Sequence, residues 1–191
     1  MKLFEITAQP FDNHASIVAR DILKNCQPFI KEWGGIPSPS RALFKGTEQS
    51  HWPVYEFNTK ASRKPTGMTT GVQQKLDDYF QEQFGHRYRS DHIVFCVDEL
   101  NWAYEFGEPH VIFPVGTFSY LWSPDIADIN SSMYDYDNDI DKIMKISRFV
   151  HNSGLNKVAF NEVMINVRKY YSIPLKIYKQ TIYPLLTKAA L

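Results

Sequence analysis

The amino-acid sequence predicts an α+β domain, and three observations lead to this class. First, 43% of the 191 residues are hydrophobic and 15% are aromatic, which is enough for a packed core. Second, short segments rich in β-branched and aromatic residues lie between segments with the period of amphipathic helices. Third, the strict strand–helix alternation of a parallel sheet is missing. No repeat and no break in composition marks a linker, so we expect one compact unit.

Residues 1–36 are predicted to be an N-terminal helical segment, packed against an α+β unit over 37–191. Apolar residues of this first segment recur at helical spacing, at Val18, Ile22, Cys26, Phe29 and Trp33. Pro28 should kink or interrupt the helix, because it lacks a backbone N–H and clashes with the preceding turn. The Gly- and Pro-rich stretch "GGIPSPS" then ends the segment in a loop.

Three further helices are expected downstream. Apolar spacing predicts one over 72–84, ended by Gly85. A second, short helix is expected over 99–107, with Asp98 as its N-terminal cap and Gly107 as its left-handed end. A third is expected from about 138 to 151, where the acidic run "DYDNDID" favours the positive end of the helix dipole.

The strand candidates are short and rich in β-branched and aromatic residues. In chain order they are "RALFKG", "VYEFNT", "HIVFCV", "HVIFPVG", "FSYLWS" and the longer "EVMINVRKYYSI". The C-terminal stretch "KIYKQTIYPLL" fits either a strand or a helix, and we favour a strand.

Composition and charge exclude several classes of protein. The formal net charge is +0, so no global attraction to nucleic acid or to an anionic membrane is expected. No run approaches the roughly 20 apolar residues of a membrane helix, and the first residues lack the apolar region of a signal peptide. Cys26 and Cys96 form neither a metal pair nor a disulfide framework, and buried free thiols indicate a reducing compartment. We therefore expect a cytoplasmic protein with no membrane partner.

The common catalytic and metal-binding motifs are missing. The sequence contains no P-loop, no GxGxxG, no GxSxG and no HExxH. The six His residues have no ligand spacing. The stretch beginning at Asp135 starts like a calcium loop but has Ile140 where Gly is needed and Ile146 where a bidentate Glu is needed. We expect no bound metal.

Three segments carry a joint pattern instead. An apolar strand ends in a basic residue and Gly, in "SRALFKG"; a strand leads into a short helix with an A-x-x-F-G pattern, in "HIVFCVDELNWAYEFG"; and Glu162 opens a late strand, in "NEVMINVRKYY". In order and spacing, over roughly residues 40–172, this pattern resembles the mono-ADP-ribosyltransferases. The chain also resembles small proteins encoded by tailed phages, which implies the host cell cytoplasm as its location.

The resemblance to ADP-ribosyltransferases implies a fold, a substrate and a set of site residues. The fold is a split, mostly antiparallel pair of β-sheets with flanking helices and a cleft for NAD. Glu162 takes the place of the catalytic carboxylate, and a cation near a strand end contacts the phosphates or the ribose. Gly has no side chain, so its backbone can approach the nicotinamide amide closely. The positions implied besides Glu162 are Arg41, counted with it as catalytic, and the NAD contacts Arg41, Lys45, Gly46, Phe95 and Tyr104.

The sequence departs from the family pattern at three places. Lys45 stands where relatives usually have Arg, and an ammonium lacks the guanidinium fork. "FCVD" replaces a Ser-Thr-Ser-like run, and Phe160 stands where many transferases have a second Glu or Gln. Transfer of ADP-ribose to an arginine is therefore disfavoured. Hydrolysis of NAD, transfer to another protein or nucleic-acid acceptor, and loss of catalysis all stay open.

Two other functions compete with NAD chemistry. The chain could be a non-catalytic interaction or virion-associated protein that keeps the fold, since its many aromatic residues suit an interface. It could also bind or modify nucleic acid through a local group of cations, namely Arg63, Lys64, Arg87 and Arg89.

Overall fold

The structure of the protein, a computed structural model, describes residues 5–48, 55–136 and 139–189. Within these ranges the strands form one sheet of eight, in the order β2-β8-β4-β1-β3-β7-β5-β6, and every pairing is antiparallel. The strands are β1 (Phe44–Thr47), β2 (Tyr55–Asn58), β3 (Ile93–Val97), β4 (Glu108–Pro114), β5 (Ser119–Trp122), β6 (Val150–His151), β7 (Glu162–Asn166) and β8 (Lys169–Pro174). The predicted α+β class is confirmed, whereas the expected split pair of sheets is a single sheet, because β1 pairs with both β4 and β3 and so joins the two halves.

The pairing between β1 and β3 is much shorter than the pairings on either side of it in the sheet. The two strands share one residue pair, Phe44 with Val97. By contrast, β1 pairs with β4 through four residues and β3 pairs with β7 through five. Past Phe44, the backbones of β1 and β3 therefore separate, and a gap opens between them.

Helices lie before, between and after the strands. They are α1 (Glu5–Asn25), α2 (Gln27–Trp33), α3 (Thr70–Phe84), α4 (Leu100–Tyr104), α5 (Ile129–Asp135), α6 (Ile140–Ile146), α7 (Leu175–Ile177) and α8 (Tyr183–Ala189). A 3₁₀ turn covers Leu155–Lys157, and a π-helical turn over Tyr178–Ile182 joins α7 to α8. In the part of the chain that the structure describes, no helix has both the length and the apolar character needed to cross a bilayer.

The N-terminal helical prediction is confirmed over the described residues. The helix is interrupted at Cys26, between α1 and α2. Pro28 lies in the first turn of α2, where its missing N–H costs no hydrogen bond. Gly34 ends α2 with a φ of 88°, a left-handed conformation that favours glycine. The five residues predicted from helical spacing are all buried in the core: Val18, Ile22, Cys26, Phe29 and Trp33.

The buried residues fall into two clusters, here called the main core and the second core. The main core joins α1, α2 and the C-terminal helical turns to strands across the sheet, with Phe29, Phe113 and Tyr178 among its largest members. The second core packs α3, α5 and α6 on β3, β5 and β7, around Phe80 and Met164. Both thiols, Cys26 and Cys96, are buried and free, as expected.

Of the three helices predicted downstream, one ends where predicted and two need correction. Helix α3 ends at Gly85 as predicted. Helix α4 is capped by Glu99, whose Oε2 accepts from the Trp102 N–H at 2.9 Å, whereas Asp98 accepts from the Asn161 N–H at 3.3 Å. The helix expected over 138–151 is shorter: α6 ends at Ile146, because the chain then extends toward β6.

The predicted long strand "EVMINVRKYYSI" is two strands. The first, β7, pairs with β3 and β5, whereas β8 pairs with β2 and β4. The chain crosses from one half of the sheet to the other at Val167 and Arg168, where the Thr59 hydroxyl donates to the Val167 carbonyl at 2.6 Å. A continuous run of strand-forming residues does not reveal such a change of partners.

The predicted C-terminal strand is wrong, because "KIYKQTIYPLL" is helical. Its buried residues recur every four positions, at Tyr178, Ile182 and Leu186, and join the main core. The Tyr178 hydroxyl also donates to the Pro37 carbonyl at 2.5 Å. Burial of this helical face overrides the β propensity of Ile, Tyr and Thr.

Candidate functional site

A cleft of about 460 Å³ opens where β1 and β3 separate. Lys45 and Gly46 line it from β1, and Phe95 and Cys96 line it from β3. In a regular antiparallel ladder these residues would face each other across the strand pair, but their backbones are not paired here. The volume is within the range of roughly 300–1,000 Å³ that is typical of small-molecule sites.

The three segments singled out in the sequence meet at this cleft. Strands β1, β3 and β7 are neighbours in the sheet, and Phe44, Val97 and Glu162 form one row across them. All three of these residues line the cleft. Glu162 and Lys45, predicted from distant parts of the chain, thus lie at one cavity.

Glu162 forms a buried ion pair with Arg89. The Arg89 Nη1 lies 2.9 Å from the Glu162 Oε1, and the two side chains are 5% and 14% exposed. Arg89 is held on other sides as well: its Nη2 donates to the Asn130 Oδ1 at 3.1 Å, and its backbone N–H donates to the Asp77 Oδ1 at 2.7 Å. The loop before β3 thus carries a guanidinium that is fixed against the head of β7.

The environment of Glu162 makes its charge costly. Burial raises the pKa of the Glu162 carboxyl, and the charge of Asp128 raises it further. Arg89 and Arg63 lower this pKa, but it stays above its ordinary value. Among the described residues, the Glu162 Oε1 accepts from Arg89, and the structure gives Oε2 no donor. The cleft therefore contains a carboxylate with one oxygen free to accept a hydrogen bond from a ligand.

Two partly buried cations in the cleft, Lys45 and Arg63, form no ion pair with a described residue. Burial lowers the pKa of the Lys45 ammonium; Cys96 opposes this and Arg63 adds to it. Within the part of the chain that the structure describes, the Lys45 ammonium makes no hydrogen bond or ion pair, and the Arg63 guanidinium makes no hydrogen bond. Partly buried cations whose charged heads form no ion pair make a site for an anion.

Arg41 lies away from the cleft. It precedes β1 and is exposed, and its guanidinium donates to the Asn156 carbonyl in the 3₁₀ turn. The prediction placed Arg41 and Lys45 on one strand face, but β1 begins only at Phe44. Arg41 and Glu162 do not share this cavity, and Lys45 is the residue of the two that lines it.

The two aromatic predictions have different outcomes. Phe95 lines the cleft, and the guanidinium carbons of Arg63 and Arg89 lie 4.4 and 4.5 Å from its ring centroid. Tyr104 is 57% exposed and is not among the lining residues. Trp102 on α4 and Phe106 in the turn that follows α4 line the cleft instead.

Gly46 lines the cleft, but the packing of α4 explains why this residue is Gly. A Cβ at position 46 would lie 2.3 Å from the Ala103 carbonyl oxygen and 2.6 Å from the Phe106 Cβ. The close approach at Gly46 is therefore made by the end of α4, which forms the adjoining wall of the cleft.

Replacing Gly46 by Ala is expected to lower the free energy of unfolding by about 1–3 kcal/mol, because overpacking against backbone atoms forces α4 away from β1. Urea denaturation followed by circular dichroism measures the change. The matched control is Gly71→Ala in α3, where an added Cβ meets nothing within 4 Å. Equal stability of the Gly46→Ala variant and the wild type would contradict the packing explanation.

The cations proposed for nucleic-acid contact are dispersed. Arg89 is buried in the ion pair, and Arg87 is exposed and lies 3.4 Å from Asp78. Arg63 and Lys64 line the cleft. The four residues therefore do not form one exposed basic surface.

Sequence reasoning missed the roles of Arg63, Arg89 and Trp102 in the cleft. The two arginines lie in polar stretches, "SRK" and "RYRSD", that look like solvated loops. No periodicity marks a single charged residue as buried, so the sequence contains no signal for the Arg89–Glu162 pair. Trp102 and Tyr104 are half a turn apart and so lie on opposite faces of α4. The sequence alone does not show which of these two faces lies toward the cleft.

Among the described residues, no group of three or more His, Cys, Asp or Glu side chains could hold a metal ion. No protein-family model matches the chain, and neither a curated protein nor a solved structure matches it.

Proposed function

We propose that the cleft binds NAD and that the protein cleaves its nicotinamide–ribose bond, with ADP-ribose passing to water or to another acceptor. One observation carries the proposal: the partly free carboxylate of Glu162 and the unpaired cations Lys45 and Arg63 line one cavity. NAD has matching groups, namely a pyrophosphate for the cations and ribose hydroxyls for the carboxylate. The antiparallel pairing is in line with the fold that the family resemblance implies, although the strands form one sheet and not a split pair.

Glu162 would act on the bond that breaks. When the C–N glycosidic bond lengthens, positive charge develops on the ribose and the leaving nicotinamide takes the bonding electrons. A carboxylate beside the ribose stabilises that charge, and its free oxygen orients a ribose hydroxyl. Water or another acceptor then adds to the anomeric carbon and loses a proton. The buried position of Glu162 strengthens this stabilisation, because little water screens it.

Lys45 and Arg63 would hold the phosphates. Both side chains are partly buried, and burial lowers the pKa of each. Like charge lowers them further, because Arg63 acts on Lys45 and Arg89 acts on Arg63. A dianionic pyrophosphate relieves that repulsion and forms charge-assisted hydrogen bonds with both heads. The ammonium of Lys45 is a point charge and contributes one such contact in place of a bidentate fork.

Replacing Lys45 by Met is expected to raise the dissociation constant for NAD about tenfold or more, since a hydrogen bond to a charged group contributes roughly 1.5–3 kcal/mol. Isothermal titration calorimetry with NAD measures binding, and chromatography measures nicotinamide release. The control is Lys75→Met, an exposed lysine on α3. Equal affinity of the Lys45→Met variant and the wild type would remove Lys45 from the site.

The same experiment on the wild-type protein tests the function itself. Heat of binding together with nicotinamide release supports NAD cleavage. Heat without release indicates a protein that binds the dinucleotide without turnover, as in the non-catalytic alternative. No heat and no release would exclude NAD as the ligand of this cleft.

A further inference from the structure

Arg89 lies in a position that is expensive for a charged residue. Its side chain is 5% exposed, and its Nε is buried with no hydrogen-bond partner in the described part of the chain. A buried ion pair gives little net stability, since the cost of desolvating two charges offsets their attraction. A fold selected for stability alone would place an apolar pair at this point.

Four separate elements fix the Arg89 guanidinium and its backbone. Glu162 at the head of β7 and Asn130 at the start of α5 accept from the two terminal nitrogens. The ring of Phe95 on β3 lies against the guanidinium carbon, and Asp77 on α3 accepts from the backbone N–H. A guanidinium held by three elements, on a backbone fixed by a fourth, keeps one orientation, so the carboxylate bound to it also keeps one orientation.

The contacts of Glu162 show what that orientation achieves. Its backbone N–H donates to the Ala127 carbonyl at 2.6 Å, which fixes the start of β7. Its Oε1 accepts from Arg89, while its Oε2 has no donor among the described residues. The ion pair therefore uses one oxygen of a carboxylate that lines the cleft and leaves the other oxygen unused.

We propose that Arg89 is the positioning residue of the cleft: it orients the Glu162 carboxylate through Oε1, holds it in the charged form, and leaves Oε2 to the ligand. This role rests on the proposed function for its catalytic meaning. Arg89 is hydrogen-bonded to Glu162, and in this proposal it acts through that carboxylate.

The charges around Glu162 fix the direction of the effect. Arg89 and Arg63 favour the carboxylate, while burial and Asp128 at the N-terminal cap of α5 disfavour it. Asp77 on α3 and Cys96 on β3 also face this group of charges. Without Arg89, the main influence that opposes burial is lost, and the pKa of Glu162 rises further. The fraction of Glu162 that is ionised near neutral pH then falls. When the pH is lowered, the variant therefore loses activity at a higher pH than the wild type does.

The test is a titration of Glu162 itself. Protein labelled with ¹³C at the Glu side-chain carboxyls is titrated by NMR, and the Glu162 signal is assigned from its absence in Glu162→Gln. Arg89→Met is expected to raise the pKa of Glu162 by about 1–3 units, the usual effect of losing an opposite charge within hydrogen-bond distance. The acidic limb of nicotinamide release should move in the same direction and by a similar amount. Arg87→Met, the exposed neighbour, should change neither quantity.

A second variant covers the case in which Arg89→Met does not fold. Arg89→Lys keeps the charge but cannot reach Asn130 and Glu162 together with a planar fork. It should leave the pKa of Glu162 within about 1 unit of the wild-type value and lower kcat for NAD by about tenfold, with KM little changed. An unchanged pKa in folded Arg89→Met, or wild-type kcat in Arg89→Lys, would overturn the proposal. If the wild-type protein leaves NAD intact, the proposed function is wrong, and the titration still decides whether Arg89 controls the charge of Glu162.

Discussion

Replacing Glu162 by Gln is expected to lower the rate of nicotinamide release from NAD by about 10²–10³-fold at neutral pH. This is the usual effect of removing one preorganised electrostatic group from the transition state. Gln keeps the shape of Glu and can still accept a hydrogen bond from Arg89, but it lacks the negative charge that stabilises the ribose cation. Single-turnover measurements with excess protein separate this effect on the chemical step from any effect on NAD binding.

The control for this experiment is Glu82→Gln, which removes the same charge from the exposed surface of α3. Its rate should equal that of the wild type. Circular dichroism should show that the Glu162→Gln variant is folded. Full turnover by folded Glu162→Gln would remove Glu162 from the mechanism and leave the cleft as a binding site.

Replacing Phe29 by Ala is expected to lower the free energy of unfolding by about 3–5 kcal/mol. Phe29 is fully buried on α2 and contacts three aromatic rings at centroid distances of 5.6–6.0 Å: Trp33, Phe113 and Phe118. The substitution removes the transfer free energy of a large side chain and leaves a cavity, because the sheet residues around it cannot collapse fully. Urea denaturation monitored by tryptophan fluorescence measures the change.

Tyr134→Ala is the matched aromatic control. Tyr134 lies on α5 and is 87% exposed, so its removal should change the free energy of unfolding by no more than about 0.5 kcal/mol. If Phe29→Ala were as stable as Tyr134→Ala, the main core would not depend on the contact between α2 and the sheet.

The sequence was most informative where side-chain burial follows a regular period. The inner face of α1 and α2 and the strands around Phe95, Val111 and Leu121 were all recognisable from spacing and composition. The helix over "KIYKQTIYPLL" was missed because Ile, Tyr and Thr favour strands locally. Which of its residues are buried, at every fourth position, becomes evident only when the segment packs into the main core.

The site was predictable in part for the same reason. Lys45, Phe95 and Glu162 could be proposed because each belongs to a strand that the sequence shows. Arg63 and Arg89 enter from loops whose conformation depends on tertiary contacts, such as the hydrogen bond from the Gln73 side chain to the Arg63 carbonyl. Arg41 looked equivalent to Lys45 by spacing, but the strand begins after it, so the equal parity of the two positions had no structural meaning.

The single residue pair between β1 and β3 has a consequence for how the cleft can change in evolution. A continuous backbone ladder would hold neighbouring strands at a set spacing that no substitution alters. Here the separation past Phe44 is lined by side chains, so single substitutions at the mouth of the cleft can widen or narrow it without breaking further backbone hydrogen bonds. The size of molecule that is admitted is thus an adjustable property, which selection can tune while the scaffold stays the same.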